Sequence, residues 1–420
     1  MARRGCWVVG LVFLLVSPAL LAAPSASVDV VRLWIEVLDA QGRVSEDLGA
    51  TDLEVQEGQG AAPQPVSILG RGLRGDGRLV VYFDQALASP GTVRRAADAL
   101  AAEAGALRRI GDVEIVSAPL DEPPELQVRA VDPLVLSERL SRMALTERGL
   151  RRPLEIRERT LVQWRRGAQS TPSMTQEEKV QLVLGAVEEE IELVEQRLDQ
   201  LLAWVTAQGG DDKGLRVLAP VLDGFDLDPL SFYATRLDGS TSRAVLAAAP
   251  TLVDLEARAR ELAATLAASG WTVLPLAMPL TEGEQRAAEY SAIESSAGGG
   301  AGGSGGPVVP GIDDQTTAAP GITIRPGKLF GRGDDDEPEE TLPPVALDDP
   351  MEPLDLLARA SGGEVVTTDR ALRDALARIG ARIEIAYPSR LPYEAGTARI
   401  EVLTTRPGLT VRAPRYAARG

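Results

Sequence analysis

The run Leu79-Val80-Val81-Tyr82-Phe83-Asp84 limits the fold more than any other feature of this chain. It is continuously apolar and rich in β-formers, with Gly75 and Gly77 before it and Ser89-Pro90-Gly91 after it. Such a run bounded by turn signals predicts a strand buried on both faces of a parallel sheet. A helix predicted over 92–109 makes it the first half of a βαβ unit. Ligands of open α/β sheets sit beyond the carboxyl ends of the strands, so Asp84 stands where a site is expected.

The 420 residues suffice for two or three domains with sizeable cores. A formal net charge of −17 argues against nucleic acid as a partner, because phosphate binding needs clustered Lys and Arg. Histidine is absent and Cys6 is the lone cysteine, which removes the commonest general base and metal ligand and all thiol chemistry from the rest of the chain. The balance favours a protein that is not an enzyme. Arg3-Arg4, an apolar stretch over 7–21 and the small residues Ala22-Ala23-Pro24-Ser25-Ala26 have the layout of a secretory signal, assigned to 1–26. A periplasmic or secreted location follows, with a membrane association only if the signal stays uncleaved as an anchor.

Further along, 28–70 reads as a small β-module built around Val30-Val31-Arg32-Leu33-Trp34-Ile35-Glu36-Val37-Leu38, too small to be stable alone. The segment 76–290 reads as an α/β core, with strands predicted over 79–84, 112–117, 125–131, 215–222 and 271–276. A helical insertion is assigned to 136–207. Its second half, Gln176–Ala207, spaces Val180, Leu184, Val187, Ile191, Val194, Leu198, Leu201 and Val205 alternately four and three apart, a heptad seam. The first half is rich in arginine and the second in glutamate, consistent with an antiparallel hairpin of complementary faces. The other use of that seam is a dimerising coiled coil, which would make the 176–207 helix an oligomer contact. Glycine and acidic residues dominate 291–350, predicted to be a disordered linker. The last elements of the core are assigned to 351–380, and C-terminal β-strands to 381–420 as partners for the orphaned N-terminal strands.

The order of these elements, with Asp84 ending one strand, Asp223-Gly224 following another and Leu356-Leu357-Ala358-Arg359-Ala360-Ser361-Gly362-Gly363 near the end, resembles a von Willebrand factor type A (VWA) domain. More narrowly, the chain resembles the secreted bacterial VWFA-related proteins. The resemblance implies a Rossmann-like, doubly wound, mostly parallel sheet, carrying the hairpin insertion and a small β-rich subdomain built from both ends of the chain. It also implies a metal-ion-dependent adhesion site made from an Asp-x-Ser-x-Ser loop, a threonine and a later aspartate. Here the loop reads Asp84-Gln85-Ala86-Leu87-Ala88, with alanine at both hydroxyl positions, so the site is degenerate.

Asp84 and Asp223 are the candidate metal ligands, for Mg²⁺ held through carboxylates and water. The competing reading of Asp84 is a cap on the following turn. A binding surface for a protein or other envelope macromolecule is assigned to Asp84, Gln85, Ser89, Asp223, Phe225 and Asp226, with no cofactor required. The trio Asp223, Asp226 and Asp228 offers the one catalytic alternative, an envelope hydrolase, without a histidine or nucleophile elbow to accompany it. Arg332-Gly333-Asp334 spells an adhesion tripeptide in low-complexity sequence, where short matches arise by chance.

Overall fold

The structure, a computed structural model, describes residues 30–45, 47–146, 149–169, 173–208, 214–237, 239–248, 254–279, 347–390 and 397–418. The predicted signal, most of the predicted linker and the Arg332-Gly333-Asp334 tripeptide lie outside the described residues.

The molecule is mixed α/β around one five-stranded sheet of mostly parallel strands. Its members are β5 (Gly77–Asp84), β6 (Gly111–Ala118), β7 (Glu125–Ala130), β8 (Arg216–Val221) and β9 (Trp271–Val273), in the order β7-β6-β5-β8-β9. β5, β6, β8 and β9 run parallel, while β7 returns antiparallel along β6. As its apolar run requires, central β5 is buried on both faces. β9 stops three residues short of its predicted end, but parallel bridges Val221↔Leu276 and Leu276↔Val366 carry the pairing further.

Helices cover both faces. On one lie α1 (Pro90–Ala102), α2 (Ala104–Ile110), α3 (Pro133–Thr146) and, near the chain's end, α10 (Asp369–Gly380), packed on Leu79, Val81 and Phe83. On the other, α4 (Arg152–Gln169), α5 (Gln176–Ala207), α6 (Pro229–Ala234), α7 (Gly239–Ala248), α8 (Leu255–Ala268) and α9 (Met351–Ala360) share a core with Val80, Tyr82 and Val116.

The helical insertion assigned to 136–207 does not stay together. α3 turns its stripe Leu136, Leu140 and Met143 to the α1 side of the sheet, and only α4 and α5 form the hairpin on the other side. The break falls at Gly149, where a Cβ would collide with the backbone of Ala88 and Ser89. α5 begins with a capping box, Thr175 Oγ1 accepting from Glu178 N at 3.2 Å and Glu178 returning a carboxylate to Thr175 N at 2.7 Å. The seam residues Val187, Ile191, Val194, Leu198, Leu201 and Val205 are buried against the sheet and α8, so the seam is covered within one chain. The complementary charges appear where the two helices face each other, in the Arg159–Glu189 and Arg152–Glu189 pairs.

Chain ends meet in a β-subdomain of two four-stranded sheets. One has the order β12 (Thr410–Arg412), β1 (Val30–Leu38), β10 (Ile383–Pro388), β4 (Ser67–Arg71); the other runs β13 (Tyr416–Ala418), β11 (Thr397–Thr404), β2 (Leu53–Glu57), β3 (Gln64–Pro65). Inward-facing Val31, Leu33, Ile35, Val55, Ile385 and Ile400 make its core. It joins the α/β part through buried Glu36, which faces Arg378 at 3.1 Å and Arg412 at 3.9 Å. Arg382, also buried, donates to Thr272 Oγ1 at 2.6 Å; burial pushes its pKa down to about 10. The last residues of the predicted linker, 347–350, are placed: Leu347 is buried, and the backbone of Pro350 packs so closely on Gly224 (φ 95°) that no Cβ fits there.

Candidate functional site: the carboxyl end of the sheet

β5 delivers Asp84 to the carboxyl edge of the sheet, and the chain then turns through 85–89 into α1. The turn is set by Asp84 itself, whose Oδ1 accepts from Ala86 N at 3.0 Å and Leu87 N at 3.1 Å. Ser89 and Pro90 start α1 as N-cap and N1 residues, Ser89 Oγ accepting from Thr92 N at 3.2 Å.

The second oxygen of Asp84 meets Arg197 of α5 at 3.1 Å. That guanidinium, 1 % exposed, also donates to Ala118 O at 2.7 Å, Pro119 O at 2.6 Å and Gln200 Oε1 at 2.8 Å. One carboxylate, backbone carbonyls at the end of β6 and an amide thus form a tight receptor for a guanidinium, and the receptor is filled from within the chain.

Asp223, after β8, is engaged similarly. Its Oδ2 accepts from Ser89 N at 2.8 Å and lies 3.3 Å from Arg151 Nε, while Oδ1 accepts from the Thr92 hydroxyl. The backbone of 150–152 laces onto the same turn, Leu150 N, Arg151 N and Arg152 N donating to the carbonyls of Gln85, Ala88 and Ala86 at 2.7, 3.0 and 2.8 Å. Arg151 adopts a positive φ of 47° in making this contact.

Asp226 is held by the hairpin. Arg157 of α4, fully buried, places Nη2 2.7 Å from Asp226 Oδ2 and 2.5 Å from Glu190 Oε1, with its Nε 3.0 Å from Glu190 Oε2. Asp226 also accepts from Asp348 N at 3.0 Å and Asp349 N at 3.1 Å. Burial, opposed by Arg157 and reinforced by Asp226, pushes the Glu190 carboxyl up to about 7.

The turn therefore brings Asp84, Ser89 and Asp223 together. Gln85 is directed aside, its amide donating to Ser117 Oγ at 2.8 Å. Phe225 is buried in the helix-covered core. Asp228 is exposed and caps α6 by accepting from Ser231 N at 3.3 Å. It does, however, border a groove of about 600 Å³ lined with Asp226, Asp254, Asp348 and Glu352 together with the apolar Ile191, Leu227 and Leu230.

The donor set does not fit Mg²⁺. Ala86 and Ala88 bring no side-chain oxygen, and the oxygens of Asp84 and Asp223 already face N–H, O–H or guanidinium groups. Among the described residues no group of three or more His, Cys, Asp or Glu side chains is placed to hold a metal ion, nor is any helix long and apolar enough to cross a membrane.

Sequence reasoning assigned none of Arg151, Arg157, Arg197, Thr92 and Glu190 to the site, although Arg157 and Glu190 belong to the complementary charges of the hairpin and do pair. For Arg197 a signal was present: in an acidic helix whose other basic residue is Lys179, it stands between the seam positions Val194 and Leu198. Compared with known proteins, the chain matches no family model, and no curated protein matches it significantly.

Proposed function

We propose that the protein is an exported, non-enzymatic scaffold of VWA-like, doubly wound fold that binds another macromolecule in the cell envelope or outside it. The single observation that carries this reading is that Asp84, Asp223 and Asp226 each face an arginine of the hairpin or of the loop leading into it, Arg197, Arg151 and Arg157. A carboxylate so engaged is available neither as a general acid or base nor as an open metal ligand. The strand order, with an antiparallel strand at one edge and helices on both faces, supports the VWA-like assignment. Export rests on the sequence pattern of residues 1–26.

With the strand end filled, recognition passes to exposed surfaces. The outer face of α5, with Glu188, Glu192, Gln196 and Asp199 exposed, is the leading one. Site-specific photocrosslinkers at positions 188, 192 and 196 in the intact cell should give a discrete adduct that persists in chelator. An adduct lost on chelation would instead favour metal-dependent adhesion through Asp84 and Asp223. Hydrolytic activity of the purified chain abolished by Asp226→Asn would overturn the non-enzymatic reading.

A further inference from the structure

One guanidinium, that of Arg157, serves two buried carboxylates. Glu190 is fully buried and Asp226 is 4 % exposed, so neither can shed its charge into water. Among the described residues the other guanidinium stacked on this cluster is already paired. Phe232 is stacked between Arg157, 4.2 Å from its ring centre, and Arg236 at 4.0 Å, but Arg236 is paired with Asp348 at 3.5 Å. Tyr233, on α6, is neutral, its phenol pushed well above the usual value by burial and by Glu190. On α5 itself, Glu189 points outward to Arg152 and Arg159. α7 and α8 meet α5 elsewhere, through Thr241 on Gln176 and Arg258 on Glu195 and Asp199. With every group ionised, Arg157, Arg236, Glu190, Asp226 and Asp348 carry one net negative charge.

We propose that this cluster is a pH-sensitive latch: protonated Glu190 leaves Arg157 to Asp226, which pins the amides of Asp348 and Asp349, and ionisation of Glu190 weakens that hold on the segment returning into the fold at 347–350. The geometry makes Asp226 the common member, since it accepts both from Arg157 and from the two backbone N–H groups. Like charges forced close together in a dry site cannot both be ionised without cost. The returning segment rests on Gly224 and Asp226 before entering α9.

The sign follows from linkage. Burial raises Glu190 from the usual 4.5 to about 7, so between these values the folded chain holds a proton that the unfolded chain has released. Stability from this group is full below the lower value and is lost as pH rises through the higher.

The test compares thermal unfolding of the full chain with that of Glu190→Gln from pH 5 to pH 8.5. The wild type should lose several degrees relative to Glu190→Gln as pH rises through about 7, and hydrogen exchange at Asp348 and Asp349, corrected for intrinsic rates, should accelerate about tenfold in the wild type alone. Parallel melting curves for the two proteins would overturn the latch. So would unchanged protection at Asp348 and Asp349 in the wild type, a measurement that stands even if the variant fails to fold.

Discussion

Asp84 has two carboxylate oxygens and the fold uses both, one on the turn it starts and one on Arg197. Its removal therefore does two kinds of damage. Asp84→Ala leaves a buried guanidinium uncompensated, and breaking a buried pair typically costs about 3–5 kcal/mol. Asp84→Asn keeps the acceptor for Ala86 N and Leu87 N and should cost less, so chemical denaturation of the two variants separates the charge from the turn. Neither the wild type nor Asp84→Ala should gain stability from millimolar Mg²⁺ or Mn²⁺ over chelator, because the donors are engaged. Bound metal at about a hundred times its dissociation constant would raise stability by ~2.7 kcal/mol, easily seen as a shift in Tm.

At the scale of the element, α5 decides how the sheet end is closed. Its seam has the spacing of a coiled coil, yet the surface it meets is the sheet and α8. Leu198→Ala should accordingly behave as a core truncation, costing roughly 2–5 kcal/mol, while the sedimentation coefficient of the folded protein stays that of the wild type. A seam holding two chains together would respond in the opposite manner, by dissociating. The capping box is a smaller contribution: Thr175→Ala should destabilise by about 1 kcal/mol, measured by denaturant titration.

Across the whole molecule, stability depends on pairing between distant parts of the chain. β1 finds β10 and β12, and β2 finds β11. Deleting residues 397–418 removes β11, β12 and β13 together, leaving β2 paired with the two-residue β3 alone and the core around Ile35 and Val55 open. The truncated chain should lose cooperative unfolding by circular dichroism and become protease-sensitive, although the central sheet is untouched in sequence. Glu36→Gln should weaken the junction more mildly, as an increased rate of limited proteolysis, since Glu36 faces Arg378 across it, with Arg412 beside it on the neighbouring strand β12.

Much of the architecture was legible in residue order. An apolar run ending in Asp84 set a buried parallel strand, the seam of α5 set a long helix with one covered face, and the lone β-module called for partners. Periodicity and turn chemistry are local, so they report which residues form an element and which side of it is apolar. They do not report what the covered side touches. The separation of α3 from the hairpin, the capture of Asp84 by Arg197 across 113 positions and the sharing of Arg157 between Glu190 and Asp226 all depend on how elements stack. A carboxylate at a strand end reads the same in sequence whether it awaits a metal, a partner or an arginine from its own chain. Only packing brings the charge of opposite sign within 3 or 4 Å, where a low-dielectric setting makes it decisive.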